Sequence, residues 1–431
     1  MMRSLYSGVT ALRNHQTRMD VIGNNIANVN TLGFKKSRVT FQDVLNQTVR
    51  GASAPQEGRG GTNPMQVGLG MNVATIETVH TGSNPQGTGK NTDLAIQGDG
   101  FFILDNGLGG EVYTRAGAFD FDAVGNLINT SNGMLVQGYM FNESEERDTV
   151  LTGISLAEKK LMLPAATDRA SIGGNLDSTK TYGEVHTIEF QVFDSLGNSH
   201  PVKLDFYKTT SEGEDADPET VWTVAASNGH SITMEDEEGA DPDAGNVVLR
   251  FDLNGRPDIA SIQLTLAGIA IPALDEDGEM GEEDLTVNID LSNLRQTAGE
   301  STAVVTERNG YRAGELQALN VDATGTVTGS YSNGKNMRLA QVAIAAFNNP
   351  SSLTKLGDNL YSVSNATGEA NIGTANSGGR GSIIPGALEM SNVDLAQEFT
   401  DMIVTQRGFQ ANNRIITVSD TMIEELVNLK R

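Results

Sequence analysis

The feature that most constrains this chain is a pair of amphipathic stripes, one at each end. Near the N-terminus Leu5, Leu12, Met19 and Ile26 recur at intervals of seven, with Val9, Ile22 and Val29 on the same side. Near the C-terminus Leu395, Met402, Phe409, Ile416 and Ile423 are also spaced by seven, joined by Phe399, Ile403, Val418, Met422, Leu426 and Val427. The spacing predicts one amphipathic helix at each end, of about 25 to 40 residues, longer than an ordinary globular helix. The N-terminal stripe is expected to be interrupted by a soft stretch at Gly23-Asn24-Asn25 and closed between Asn28 and Gly33. Each stripe needs a cover, and the nearest is the other stripe. Polar positions such as Gln16, Gln406 and Asn413, with Glu398, Asp401, Glu424 and Glu425 available to a basic N-terminal helix, suit a packed bundle of many chains as well as a simple pair. Two helices that merely close a monomeric domain are the plain alternative.

Between the stripes the periodicity is that of strands. Residues 51–64 are rich in Gly, Pro, Ser and Thr and read as a loop; short strand candidates follow at 94–97, 100–104, 111–114, 126–130 and 134–139. A second β region runs over about 165–293, with candidates at 184–193, 200–208, 220–225, 246–252, 259–266 and 285–289. Its acidic loops at 211–219, 235–243 and 275–284 read as exposed tips, and the single tryptophan, Trp222, as a core residue. Residues 300–363 return to strands and turns, before a glycine-rich stretch at 368–386. At 431 residues the chain needs about three domains. The order helix, β, β, β, helix predicts nesting in a multidomain α+β fold that is mainly β. The paired terminal helices form an inner, coiled-coil-like layer, with a discontinuous middle β-domain and an inserted outer β-domain. The expected division is 1–30 plus 390–431 for the helices, 31–75 plus 364–389 for an extended connector, 76–150 plus 294–363 for the middle domain and 151–293 for the outer insertion.

Charge and composition narrow the function. The formal net charge is -25, which disfavours nucleic acid and anionic membranes as partners. It is unevenly spread: residues 1–50 hold Arg3, Arg13, Arg18, Lys35, Lys36, Arg38 and Arg50 against Asp20 and Asp43 only, whereas residues 211–243 carry acids and neither Lys nor Arg. With no cysteine, disulfides, thiol catalysis and sulfur-ligated metals are excluded. His15, His80, His186, His200 and His230 are scattered, with no metal-binding or triad spacing, and no phosphate- or dinucleotide-binding motif occurs, so neither an enzyme nor a cofactor or metal is expected. Asp275-Glu-Asp-Gly-Glu279 lacks the ligand spacing of a calcium loop. The first thirty residues carry charges throughout and do not read as a signal peptide, and no stretch reaches the length of a membrane helix.

Both ends carry a further signal. The run Ser4-Leu-Tyr-Ser-Gly-Val-Thr-Ala-Leu12, and Gly23 through Asn28, Asn30, Thr31, Gly33 and Phe34 to Lys35, resemble the flagellar rod and hook protein family. So do Asn91 to Phe102, Tyr113 to Phe119, Gly386 through Ser391, Asn392, Val393 and Asp394 to Phe399, and Gln406-Arg407-Gly-Phe-Gln-Ala411-Asn412. Phe193 to His200, Tyr331 to Gly334, and Leu339 to Pro350 followed by Leu360-Tyr361 resemble its hook members more than its shorter distal rod members. The resemblance implies a helical homopolymer: a curved, hollow tube that acts as a universal joint, passing torque from rod to filament. Its expected polymerisation residues are Leu5, Val9, Leu12, Met19, Ile22, Ile26, Leu395, Phe399, Met402, Phe409, Ile416 and Ile423. The implied partners are further copies, the flagellar rod, the hook cap, the hook-filament junction protein and the flagellar type III export apparatus, and the implied place is the flagellum, outside the cytoplasm. A distal rod subunit is the nearest alternative reading and an extracellular binding β-protein a remoter one. A cysteine-derived link between subunits, which some relatives form, is unavailable to a chain without cysteine.

Overall fold

Both end helices are present in the computed structural model, which describes residues 2–55, 60–107, 109–142, 145–209, 221–226, 231–234, 246–252, 254–259, 261–274 and 280–429. Helix α1 spans Met2–Ala27 and α2 spans Leu395–Asn428. They lie antiparallel, with Gly8 beside Ile416, His15 beside Gly408, and Arg18 paired with Asp401 at 3.1 Å. The interruption expected at Gly23-Asn24-Asn25 does not occur. Asn is a mediocre helix former because its side chain competes for nearby backbone groups, but Asn25 is buried and spends that capacity outside the helix. Its Nδ2 donates to the Ser37 carbonyl at 2.9 Å and to Glu398 at 3.1 Å, and its Oδ1 accepts from the Ser37 N–H at 3.0 Å. At the start of α2, Asp394 accepts from the amides of Ala396 and Gln397, satisfying two of the helix's free donors.

The chain divides into two compact units, Met1–Glu158 with Leu319–Gly329 and Asn336–Arg431, and Lys159–Ala318 with Ser330–Lys335. In the first, the strand Asn336–Ala346 is central. It pairs antiparallel with Leu135–Met140, Phe101–Asp105 and Asn371–Thr374. Its run of buried residues shares a core with Leu94, Phe102, Leu104, Phe119 and Val136. The predicted strands 94–97 and 111–114 fall on Leu94–Gln97 and Glu111–Thr114. Between α1 and this sheet the chain runs through a two-stranded ladder, Ser37–Asp43 against Met71–Thr78, prolonged by Asn46–Arg50 against Met65–Gly68.

The second unit is a sandwich. One sheet has the order Ser231–Met234, Ser261–Leu274, Met280–Thr297, Arg169–Asp177, Val304–Arg308; the other runs Val185–Phe193, Ser199–Thr209, Val221–Ala226, Asn246–Arg250. Ile188, Phe190 and Val192 line one inner face side by side with Val202, Leu204 and Phe206 of the paired strand, and Ile172, Leu264 and Val287 join the same core from the other sheet. Trp222 is fully buried there. The predicted 259–266 and 285–289 are parts of two much longer strands, Ser261–Leu274 and Met280–Thr297. The acidic loops 211–219 and 235–243, and residues 275–279 of the third, lie outside the described residues.

The first unit is joined at a buried cluster of charge that residue spacing gave no sign of. Lys35, Arg115 and Glu389 are all shielded from solvent. The Lys35 ammonium donates to Glu389 at 2.6 Å and to the Thr81 carbonyl at 2.8 Å, while Arg115 reaches the other Glu389 oxygen at 3.4 Å and the Gly98 carbonyl at 2.8 Å. The Ser83 amide adds a bond to Glu389 at 3.1 Å. Burial lowers the Lys35 pKa, with the Glu389 carboxylate pulling it back up. Beside this cluster His80 packs edge-on to Phe101 and Tyr361, and among the described residues neither ring nitrogen has a hydrogen-bond partner. Burial first, then the positive charges of Arg115, Lys35 and Lys355, push the His80 pKa down to about 4.

Two measurements test the cluster. Glu389→Gln strands two buried cations and should lower the first unit's unfolding free energy by about 3–5 kcal/mol, read by denaturation followed through helix circular dichroism. The emission transition of Trp222, in the second unit's core, should stay where it is. For His80 the unfolded state holds its proton up to about 6.5 and the folded state only to about 4, so stability falls as pH drops through that window. Its share is about 2 kcal/mol between about pH 7 and about pH 5. His80→Leu should remove that difference, and an unchanged pH profile in the variant would show that His80 does not carry it.

Candidate assembly interface

The contact between α1 and α2 sets small residues against larger ones, Gly8 against Ile416 and Gly408 against His15. Among the described residues Gly8, Ala11, Asn14, Ile22 and Asn25 are buried on α1, Asn14 donating to the Met71 carbonyl of the ladder at 2.7 Å, and Glu398, Thr405 and Ser419 are buried on α2. A Cβ at Gly8 would come within 3.2 Å of Ile416, and one at Gly408 within 3.0 Å of the His15 ring, so the helices approach closely. His15 titrates below its ordinary range because it is partly buried and stands near Arg18. Lys36 adds an ion pair to Glu398 at 3.5 Å.

Of the residues expected to polymerise, Ile22 is buried, while Leu5, Val9, Leu12, Met19, Ile26, Met402, Phe409, Ile416 and Ile423 are half-buried. Leu395 and Phe399 are exposed, at 40% and 49%. More apolar surface is open than the heptad positions alone indicate. Leu395, Phe399 and Ile403 follow one another at intervals of four, and Ile415, Val418, Met422, Leu426 and Leu429 at intervals of three or four, all exposed. With Gly8 opposite Ile416, Met2 falls opposite about residue 422 by helical rise, so the last turns of α2 overrun the start of α1. The two-stranded ladder after α1 likewise exposes Val44, Leu45, Val49, Met65, Val67 and Ile76. Isolated exposed apolar residues are ordinary, but ordered rows of them mark contact surfaces.

The motif residues near the shared end of the two helices come together. Thr31 Oγ1 donates to Asn28 Oδ1 at 3.1 Å, and the Gly33 amide donates to the Glu389 carbonyl at 2.8 Å. Gly33 has φ +68°, and a Cβ there would meet the Ala116 amide at 2.7 Å, so glycine is required on both counts. Phe34 is buried under the Lys355 ammonium, 5.0 Å from the ring centre. Asn392 accepts from the Lys36 amide at 2.8 Å and donates to the Val79 carbonyl at 2.8 Å, with Ser391, Val393 and Asp394 around it leading into α2. Asn30 lies exposed beside this junction. Gln406, Arg407 and Ala411 stand apart on the exposed side of α2, and Asn412 is half-buried, donating to the Gly408 carbonyl at 2.9 Å. Sequence reasoning missed Arg115 and Glu389 as partners, although both sit as lone charges inside largely uncharged stretches. Among the described residues no group of three or more His, Asp and Glu is arranged to hold a metal, and no helix is long and apolar enough to cross a membrane.

Comparison with known proteins places these elements. The family model described as flagella basal body rod protein matches residues 5–35, and that of the flagellar hook protein FlgE/F/G D1 domain matches 95–175. The model of the flagellar basal body protein FlaE D2 domain matches 163–311, and that of the flagellar basal body rod FlgEFG protein C-terminal matches 384–429. The chain is 40% identical to the flagellar hook protein FlgE of Borreliella burgdorferi and 39% identical to that of Treponema pallidum, in both cases over 100% of each chain. It is also 32% identical to the flagellar basal-body rod protein FlgG of Bacillus subtilis, again over 100% of both. The likeness runs through both helices and the β-units between them, and the chain belongs to the bacterial flagellar hook and basal-body rod protein family.

Proposed function

We propose that this structural subunit of the flagellar hook polymerises through the exposed apolar rows of α2 and the outward residues of α1. The observation that carries this reading is the row Ile415, Val418, Met422, Leu426 and Leu429, left open along α2 and its C-cap. Copies that bury such rows against one another gain continuous apolar contact along the assembly. The residues taking part are Leu5, Val9, Leu12, Met19, Ile22 and Ile26 with Leu395, Phe399, Met402, Phe409, Ile416 and Ile423; the motif residues from Asn28 to Phe34 and Ser391 to Asp394 orient the helices. In the tube, segments 1–30 plus 390–431 form the inner layer and 31–75 plus 364–389 the connector, with 76–150 plus 294–363 in the middle and 151–293 outside. A stiff inner layer with polar outer contacts that re-form as the tube rotates gives a curved universal joint. Its partners are the flagellar rod, the hook cap and the hook-filament junction protein, reached outside the cytoplasm through the flagellar type III export apparatus.

A distal rod subunit is the second reading, favoured by the full-length identity to a rod protein. Electron microscopy separates the two: curved hollow tubes support the hook and straight ones the rod. Val418→Glu with Met422→Glu should abolish polymers in sedimentation while leaving helix content unchanged. Polymers formed by that variant at the parent concentration would remove the α2 row from the contact.

A further inference from the structure

Three cations of the second unit converge on one recess. It has a volume of about 830 Å³, lies at the turn between Val185–Phe193 and Ser199–Thr209, and is lined by Arg308, Arg312 and Lys335. Arg308 and Arg312 are exposed and Lys335 is half-buried, so the charges can be reached from solvent. A neighbouring recess of about 790 Å³ shares Arg308 and Lys335 and is lined as well by Arg169, Asp290 and Glu307. Along the described lining of the two together, cations therefore outnumber acids.

The walls hold these charges in place through neutral groups. Arg308 donates to the Gln191 carbonyl at 2.7 Å and lies over the Phe193 ring at 5.2 Å, and Lys335 lies over the Tyr311 ring at 5.6 Å. Asn333 donates to the Arg312 carbonyl at 2.9 Å and accepts from the Lys335 amide at 3.0 Å, which ties two of the cation-bearing segments together. Tyr311 is fixed in turn by paired backbone bonds with Ala165 at 3.0 and 3.1 Å. Gly310 is buried in the same wall, and a Cβ there would collide with Thr167. Cations oriented in advance lose little freedom when an anion arrives, which favours its binding.

In an assembly of this chain the most abundant anion is the chain itself. Asp and Glu number 55 against 30 Lys and Arg, and such residues lie mostly at the surface, so a neighbouring copy presents a predominantly acidic face. We propose that the recess of Arg308, Arg312 and Lys335 receives surface carboxylates of a second copy. A site rich in cations repels its own counterpart, so the contact joins two different surfaces. Such heterologous contacts build rings or open helical arrays, not closed pairs. The inference rests on the polymerising function above, and adds a charged contact to the apolar ones of the helices.

Carbodiimide coupling, which joins an amine to a carboxylate in contact with it, reads the partner directly. Isotope-labelled and unlabelled full-length proteins are mixed in equal parts, polymerised at low salt and coupled. The sedimented polymer is then digested, and the peptides joined through Lys335 are identified by mass spectrometry. The expected main product pairs Lys335 of one isotope with an acidic peptide of the other, in the polymer and not in the monomer. Arg308→Glu with Arg312→Glu should cut its yield per polymerised chain about tenfold, as should salt at about 1 M. Arg312→Glu alone, which leaves the Arg308 contacts in place, should cut it severalfold. Trp222 emission verifies folding. Polymers in which Lys335 couples only within its own copy or not at all, or a yield indifferent to charge reversal and salt, would overturn the docking while leaving the hook function in place. Failure of the parent chain to polymerise at all would overturn both.

Discussion

The first unit depends on a single arrangement, the Glu389 carboxylate shared by Lys35 and Arg115. Its members come from the chain just after α1, from the loop before Phe119–Phe121 and from the chain just before α2. The cluster therefore fastens both helix roots to the β-structure at one point. Burying three charges is expensive, and apolar replacements of equal volume often stabilise as well. What apolar side chains lack is direction. Glu389 accepts from Lys35, Arg115 and the Ser83 amide, and Lys35 and Arg115 also donate to the Thr81 and Gly98 carbonyls, so the five segments have one mutual orientation that satisfies them all. A subunit that passes torque from its helices to its β-structure needs a joint of that kind, because an apolar contact can slide where a set of directional bonds cannot.

The same separation of tasks appears in the helices. Where they meet, Gly8 stands against Ile416 and Gly408 against His15, with specific bonds at Asn25 and Glu398. Close approach and orientation are settled within one copy. Much of the apolar area is held back, and rows such as Leu395, Phe399 and Ile403 remain open. The monomer is thereby left incomplete in a controlled way. Polar contacts help to fix how the two helices stand, and in the proposed assembly association with further copies removes the apolar surface from water.

How much of this was legible depended on the range of the interaction. Local patterns were plain: the strands at Leu94–Gln97 and Glu111–Thr114, and the helices from their seven-residue spacing, because period and turn residues act within a few positions. Periodicity gave the helical stripes but not their partners; a stripe read as one apolar face proved to be divided between a seam and open flanks. Asn25 pointed the wrong way, since helix propensity describes an Asn without tertiary partners, and Ser37 and Glu398 supply them. The long hairpin was underestimated because its acidic and glycine-containing stretch near residue 280 has poor strand propensity, which pairing along the ladder overrides. The buried charge cluster joins residues more than 350 positions apart at its extremes, and no local rule reaches that far.

The sandwich of the second unit carries the argument about bending one step further. Among its described residues the inner faces of both sheets, Trp222 included, are shielded in one core. Its surface carries charged groups, like those lining the recess of Arg308, Arg312 and Lys335, beside single exposed apolar residues such as Leu196 and Val304. Charged contacts between exposed groups are worth little each and are exchanged at small cost, whereas interlocked apolar side chains resist displacement until the packing is undone. In the tube proposed above, apolar rows on the helices supply stiffness and charged groups on the sandwich supply exchangeable contacts. A rotating curved joint needs both, because each subunit passes from the short side of the curve to the long side in every turn.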